Sequence, residues 1–192
     1  MLKLLSLFRR FFPAREAVAA VEFALILPVM LTLYLGSMEL SSLINVDQRV
    51  TTISGTVGDL ASRANGTLKL STLTDYFQAS QAIIAPFSTT GLTQTISFVK
   101  VDSSGNTTVQ WSEGYANGAI TTGRPANQAF VAPHVIPPAM IAISKSNWVM
   151  VSETNYSYLP LLGLFFKTAV PLYRQAFYLP RFAAAIVLDT AN

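Results

Sequence analysis

Between Ala17 and Met38 the chain reads AVAAVEFALILPVMLTLYLGSM, 22 residues in which Glu22 is the only charge. Written as a helix rising about 1.5 Å per residue, this run is about 33 Å long, enough to cross a hydrocarbon core of about 30 Å. Its flanks set an orientation. Lys3, Arg9, Arg10 and Arg15 stand before it against Glu16 alone, and Arg49 is the one cation shortly after it. Of 13 Lys/Arg and ten Asp/Glu in the chain, four and one therefore lie in residues 1–17, which leaves nine of each for the other 175. A basic cluster ahead of an apolar run holds that end in the cytoplasm, so the chain is expected N-in and C-out. The same count removes a nucleic-acid partner, because the basicity is all leader and no basic stripe remains for a phosphate backbone. A cleaved secretory signal is the alternative, with Phe23–Leu35 as its apolar region and Leu35-Gly36-Ser37 as the cut, but an A-x-A-like triplet is missing there. The run Leu159–Phe166 is only eight residues long and is broken by Pro160 and Gly163, too short for a second span.

Past the span the helical pattern continues. Leu43, Val46, Val50, Ile53, Val57, Leu60 and Ala64 follow one another at spacings of 3, 4, 3, 4, 3 and 4, a narrow apolar stripe with polar residues between. The stripe could meet a partner helix in a coiled coil. The flanking positions offer little complementary charge beyond Asp47 and Arg49, which favours packing on the protein's own globular part. Gly55, Gly58 and the β-branched Val50–Ile53 weaken helix propensity, so a bend or fraying is expected there, with Gly66 as a stop. Ser71–Ala85 reads as a second helix, capped by Ser71, with Leu73, Tyr76, Phe77, Ile83 and Ile84 to bury and Pro86 to end it. The texture then turns to strand. Thr95–Val101 alternates, Asp102–Asn106 has turn chemistry and Thr107–Ser112 resumes, which makes a β-hairpin. Residues 113–140 read as a long surface loop, 147–158 as the clearest single strand, and 172–179 as a shorter last one stopped by Pro180.

Reactive chemistry is sparse. With no cysteine there are no disulfides, Fe–S clusters or thiol catalysis, and with one histidine a multi-His metal site is impossible. His134 sits in Ala-Pro-His-Val-Ile-Pro-Pro with no acid nearby in sequence, and the default reading is a surface histidine. One Asp and no following Glu argue against a calcium loop at 102–106. No G-x-S-x-G, P-loop or H-E-x-x-H occurs, so an enzyme and a bound cofactor are not expected. With 51% hydrophobic and only 12% charged residues, a freely soluble cytosolic enzyme is a poor fit as well. The residues that call for a role are the acids at or beside the membrane, Glu22 and Glu39. A carboxylate at membrane depth costs about 2.5–3.5 kcal/mol on insertion scales, so it usually has a function or a partner. The two are about 25 Å apart along a helix, which lets Glu39 lie at the far interface.

The run from Ala17 to Pro28, AVAAVEFALILP, followed by Leu35-Gly36-Ser37-Met38-Glu39, resembles the N-terminal segment of TadE-like pseudopilins of the tight-adherence (Flp) pilus system. The strand VMVSETNYSY at 149–158, the residues Leu159–Leu162 after it and a last strand ending in Leu179-Pro180-Arg181 are similar to that family's closing strands. The resemblance implies a membrane-held precursor whose basic leader a prepilin peptidase removes, here between Ala17 and Val18. Ala17 stands where the family usually has glycine. It also implies that Glu22, fifth residue of the mature chain, pairs with the new amine of a neighbouring subunit. A free α-amine is cationic at neutral pH. Pairing offsets the desolvation of both charges.

The sequence thus leads to an α+β, pilin-like architecture: one long N-terminal helix, transmembrane in its first half, packed on a small antiparallel sheet. Residues 1–17 would be the cytoplasmic leader, 18–40 the span and 41–192 a periplasmic domain of a single-pass protein of the bacterial inner membrane. The expected role is that of a minor pseudopilin or assembly factor, with other pseudopilins, pilus assembly proteins, a prepilin peptidase and the bilayer as partners. The competing reading is a signal-anchored periplasmic binding domain that never joins a filament. A hydrolase built around His134 is a distant third.

Overall fold

The computed structural model describes residues 15–131, 134–160, 163, 167–182 and 184–191, with side chains from Val18 onward. Most of the leader and part of Leu159–Phe166 lie outside the described residues. Helix α1 runs unbroken from Arg15 to Ser62, 48 residues. Pro28 lies inside it, and the hydroxyl of Thr32 donates to the Pro28 carbonyl at 2.7 Å. Ser37 and Ser42 likewise donate to the carbonyls of Tyr34 and Met38. Such bonds hide hydroxyls on an otherwise apolar helix. The short strand β1 (Thr67–Lys69) leads into α2 (Leu70–Gln81), and one 3₁₀ turn (Ala82–Ile84) follows. Ser71 is not the cap: Lys69 occupies that position and makes no side-chain capping bond.

Five antiparallel strands form the main sheet, β2 (Leu92–Val101), β3 (Thr107–Ala116), β4 (Ala119–Thr122), β5 (Trp148–Tyr158) and β6 (Val170–Tyr178), in the order β4-β3-β2-β5-β6. Here 113–140 departs from the expected loop. It continues β3 to Ala116, turns on Asn117-Gly118, both at positive φ, and returns as β4. An Asn-Gly pair of this kind is the strongest short hairpin signal in sequence. Only the remainder is irregular, and it ends in the short helix α3 (Pro138–Ile143). A last strand, β7 (Val187–Asp189), pairs in parallel with β1. Each of these two is three residues long, too short to show a periodicity.

The second half of α1 lies across one face of the sheet. Val46, Val50 and Ile53 are buried with Ile84, Leu92, Tyr156 and Tyr158, and Val57 and Ala61 with Phe77, Ile96, Phe98, Tyr115 and Met150. The stripe therefore serves the protein's own core. It drifts from the strict heptad, since Leu60 is only half-buried and Ala61 takes the inward place. A straight helix falls behind a 3.5-residue repeat by about 20° per heptad, which produces this slip. Gly55 and Gly58 do not interrupt the helix. A Cβ at Gly58 would stand 2.8 Å from the Tyr178 ring and 3.0 Å from the Ser152 Cβ, so this glycine lets helix and sheet approach.

The other face of the sheet is buried too. Val99, Val101, Val109, Val149 and Val151 pack against Phe130 and Ile136 of the connection that precedes α3. A register shift at Phe98/Val99 sets Trp111 opposite Phe98 and Val109 opposite Val99, so one extra residue, Gln110, sits on β3. The bulge turns Val109 to the outer core and Trp111 to the inner one. There Trp111 stacks on Phe98 at 5.8 Å and its indole N–H donates to the Ile186 carbonyl at 2.7 Å.

Candidate functional site: the uncovered half of the long helix

Side chains from Val18 to Tyr34 on α1 are exposed on every side. Valine, leucine, isoleucine, phenylalanine and methionine dominate this surface. A continuous exposed apolar cylinder is the kind of surface a bilayer covers. α1 is the one helix among the described residues long and apolar enough to cross a membrane, and none of its most apolar stretch is buried in the protein. It is a candidate membrane anchor.

The helix arranges the sequence-derived site residues along this cylinder. The Ala17–Val18 bond falls in the first turn of α1, which starts at Arg15. Val18 and Glu22 are four residues apart and share one face of the helix, since side chains at i and i+4 are neighbours. Helical side chains lean toward the N-terminus, so the Glu22 carboxylate reaches back toward Val18. Glu22 is exposed, with only apolar residues around it on the helix. Glu39 is placed differently. It is 4% exposed, although Met38 and Leu40 on either side of it are open. Leu35 and Gly36 are half-buried and Glu39 is the first buried residue of α1, so this acid belongs to the domain's edge and Glu22 to the open cylinder.

Sequence reasoning passed over a second cluster, on the far face of the sheet. Glu153 of β5 is 4% exposed and receives a bidentate pair from Arg124, whose Nε–H and Nη2–H donate at 2.8 and 2.7 Å. The Tyr173 hydroxyl of β6 donates to the same carboxylate at 2.7 Å. His134 stacks on the Tyr173 ring with centroids 3.5 Å apart, and the Arg124 guanidinium lies 4.1 Å from the Phe130 ring centre. The ring stack makes His134 half-buried rather than a free surface histidine. Burial and the neighbouring Glu153 carboxylate push the Tyr173 hydroxyl well above the usual tyrosine range, and the same carboxylate raises Arg124. Tyr173 and Arg124 therefore stay protonated, and their bonds to Glu153 clip the connection after β4 to the sheet. The signal was available: Glu153 shares its strand face with Val149 and Val151, and a carboxylate on a buried face implies a partner. Among the described residues no three potential metal ligands converge.

The fold and the open helix define an α+β protein with a single N-terminal apolar helix that serves as both candidate anchor and core element. Residues 17–54 match the family model of TadE-like proteins, the same family that the sequence resembles. The matched segment covers the uncovered cylinder and the first turns that pack on the sheet. No curated protein and no solved structure matches the chain.

Proposed function

We propose that this protein is a minor pseudopilin or assembly factor of a tight-adherence pilus, held in the bacterial inner membrane by α1 with its domain in the periplasm. The observation that carries the reading is Glu22, a lone carboxylate on an apolar exposed helix, one turn beyond a boundary of small residues where all the net charge ends. Cleavage between Ala17 and Val18 by a prepilin peptidase removes the four cations of the leader and creates a new one, the Val18 amine, one helical turn from Glu22. That spacing supports pairing within a subunit before assembly and with a neighbour's amine afterwards. Either pairing offsets the cost of two charges in hydrocarbon. Other pseudopilins or pilus assembly proteins are the partners of this surface.

Co-expression with a prepilin peptidase and intact-mass measurement tests the proposal. The mature chain is expected about 2 kDa lighter, the leader's share of 20.8 kDa. Ala17→Leu is expected to block the cut by bulk. Glu22→Ala is expected to be cut and membrane-bound yet unable to support pili. An uncut chain, or a cut after Ser37, overturns this mechanism and leaves the anchored periplasmic binding domain as the reading.

A further inference from the structure

We infer that the membrane-proximal end of the globular domain is itself a lipid-binding surface, seated in the bilayer interface beside α1 with no stalk between. This rests on the reading of α1 as a membrane anchor. The register of helix against sheet supplies the argument. The Ser54 hydroxyl donates to the Ser152 carbonyl at 2.9 Å, which sets the middle of β5 level with this turn of α1. Arg174 of β6 pairs with Asp47 at 2.5 Å, and Arg174 is the register partner of Thr154. Moving from Ser152 to Tyr158 therefore moves down α1 toward its N-terminus. Six strand residues cover about 20 Å. The same distance is about 13 residues of helix, which brings Tyr158 and its partner Val170 level with residues 41–44 of α1. The packing agrees, since Tyr158 lies in one cluster with Val46 and half-buried Leu43.

That level is where the open cylinder ends. On the side of α1 away from the sheet, Leu40 and Ile44 are still about half exposed, and the exposed residues then become Asn45, Gln48, Thr51 and Thr52. Leu159, the first residue beyond β5, is 69% exposed at the same height. Lys167, which precedes β6, is exposed. An exposed leucine with an exposed lysine close by in sequence suits an interface, with the ammonium at the headgroups. The apolar surface of α1 thus extends toward the domain through Met38, Leu40, Ile44 and Leu159, with the small hydroxyls of Ser37 and Ser41 exposed among them. From Val18 to Met38 the helix is about 31 Å, one hydrocarbon thickness, so the domain, with Glu39 as the first residue of α1 that is buried, rests directly on the bilayer. Glu22 then lies about 6 Å inside the cytoplasmic boundary rather than at mid-depth.

The chain contains no cysteine, so single-cysteine labels are unique. Val29→Cys, Leu159→Cys and Val187→Cys, each at an exposed position, would carry an environment-sensitive fluorophore in the full chain, reconstituted in phosphatidylethanolamine–phosphatidylglycerol vesicles. The Leu159→Cys label is expected to be quenched by lipids bearing a shallow spin label. Its iodide quenching should be several-fold weaker than that of Val187→Cys, which lies beside β1 at the opposite end of the domain. Equal iodide quenching at the two sites, or shielding of Leu159→Cys from both quenchers, overturns the inference. Val29→Cys separates the two readings. If it is lipid-quenched while Leu159→Cys sits in water, the anchor stands and the seated domain falls; if it is not, both fall.

Discussion

The two halves of α1 have the same backbone and opposite surroundings. From Val18 to Tyr34 the helix is exposed throughout, Leu35 and Gly36 are half-buried, and from Glu39 to Ser62 it is the main cover of one sheet face. Its first half is apolar all round, its second half along one stripe. The difference teaches what each half must satisfy. A lipid-facing helix needs only internal backbone bonds and apolar atoms in every direction. A helix on a sheet needs a side that fits, and it spends glycines, serines and exact spacing to obtain one. A charge is correspondingly tolerated for different reasons: Glu22 needs a partner brought from elsewhere, whereas Asp47 and Asp59 find arginines supplied by the same domain.

Identical substitutions in the two halves should therefore part company. Ile53→Asp puts an unpaired carboxylate at a fully buried site and is expected to unfold the domain, at a cost of several kcal/mol. Val29→Asp is expected to leave the fold intact and to cost insertion about 2.5–3.5 kcal/mol. Far-ultraviolet circular dichroism melts in detergent, together with membrane fractionation, read both effects. A folded Ile53→Asp protein that has lost its complexes would instead return the stripe to a partner helix.

The sheet under α1 also depends on its outer cover. Arg124→Ala strands Glu153 in a buried site and is expected to cost about 3 kcal/mol, with protease cleavage appearing in 123–136 before global unfolding. The two glycines of the second half sharpen the comparison further. Gly58→Ala should destabilise by about 1 kcal/mol, because overpacking against Tyr178 outweighs the gain in helix propensity. Gly55→Ala meets only the Tyr178 hydroxyl, at 3.4 Å, and should be neutral or stabilising by up to about 1 kcal/mol. Thermal midpoints of the two single variants decide this.

The smallest effect is electrostatic. Asp59 accepts from Arg63 and Arg181, and these bonds hold its carboxyl below the ordinary value. A depressed folded pKa adds stability that is present above the unfolded value near 3.8 and is lost as pH falls through the lower folded one. Unfolding midpoints measured downward from pH 5 should fall, and Asp59→Asn should flatten part of that slope by slightly lowering the plateau near neutrality while leaving the acid end little changed.

The candidate anchor was legible in the sequence because lipid imposes a constraint on composition alone, and a run of apolar residues satisfies it wherever the rest of the chain goes. The inward stripe Val46–Val57, the hairpin at Asp102–Asn106 and the strand ending at Tyr158 were legible because their periods are local. Asn106 donates to Asp102 from both its backbone and side-chain nitrogens, so that turn is specified by residues four apart. Tertiary structure decided what long-range partners decide. The pairing of β1 with β7 joins residues more than a hundred positions apart, and three-residue strands carry no pattern of their own. Gly58 looked like a weak point in a helix and is a contact point, which only the Tyr178 ring across it reveals. Glu153 looked like one scattered acid among ten until Arg124 and Tyr173 closed over it. A sequence records what each residue prefers, and burial of a charge depends on which distant residue arrives to share it.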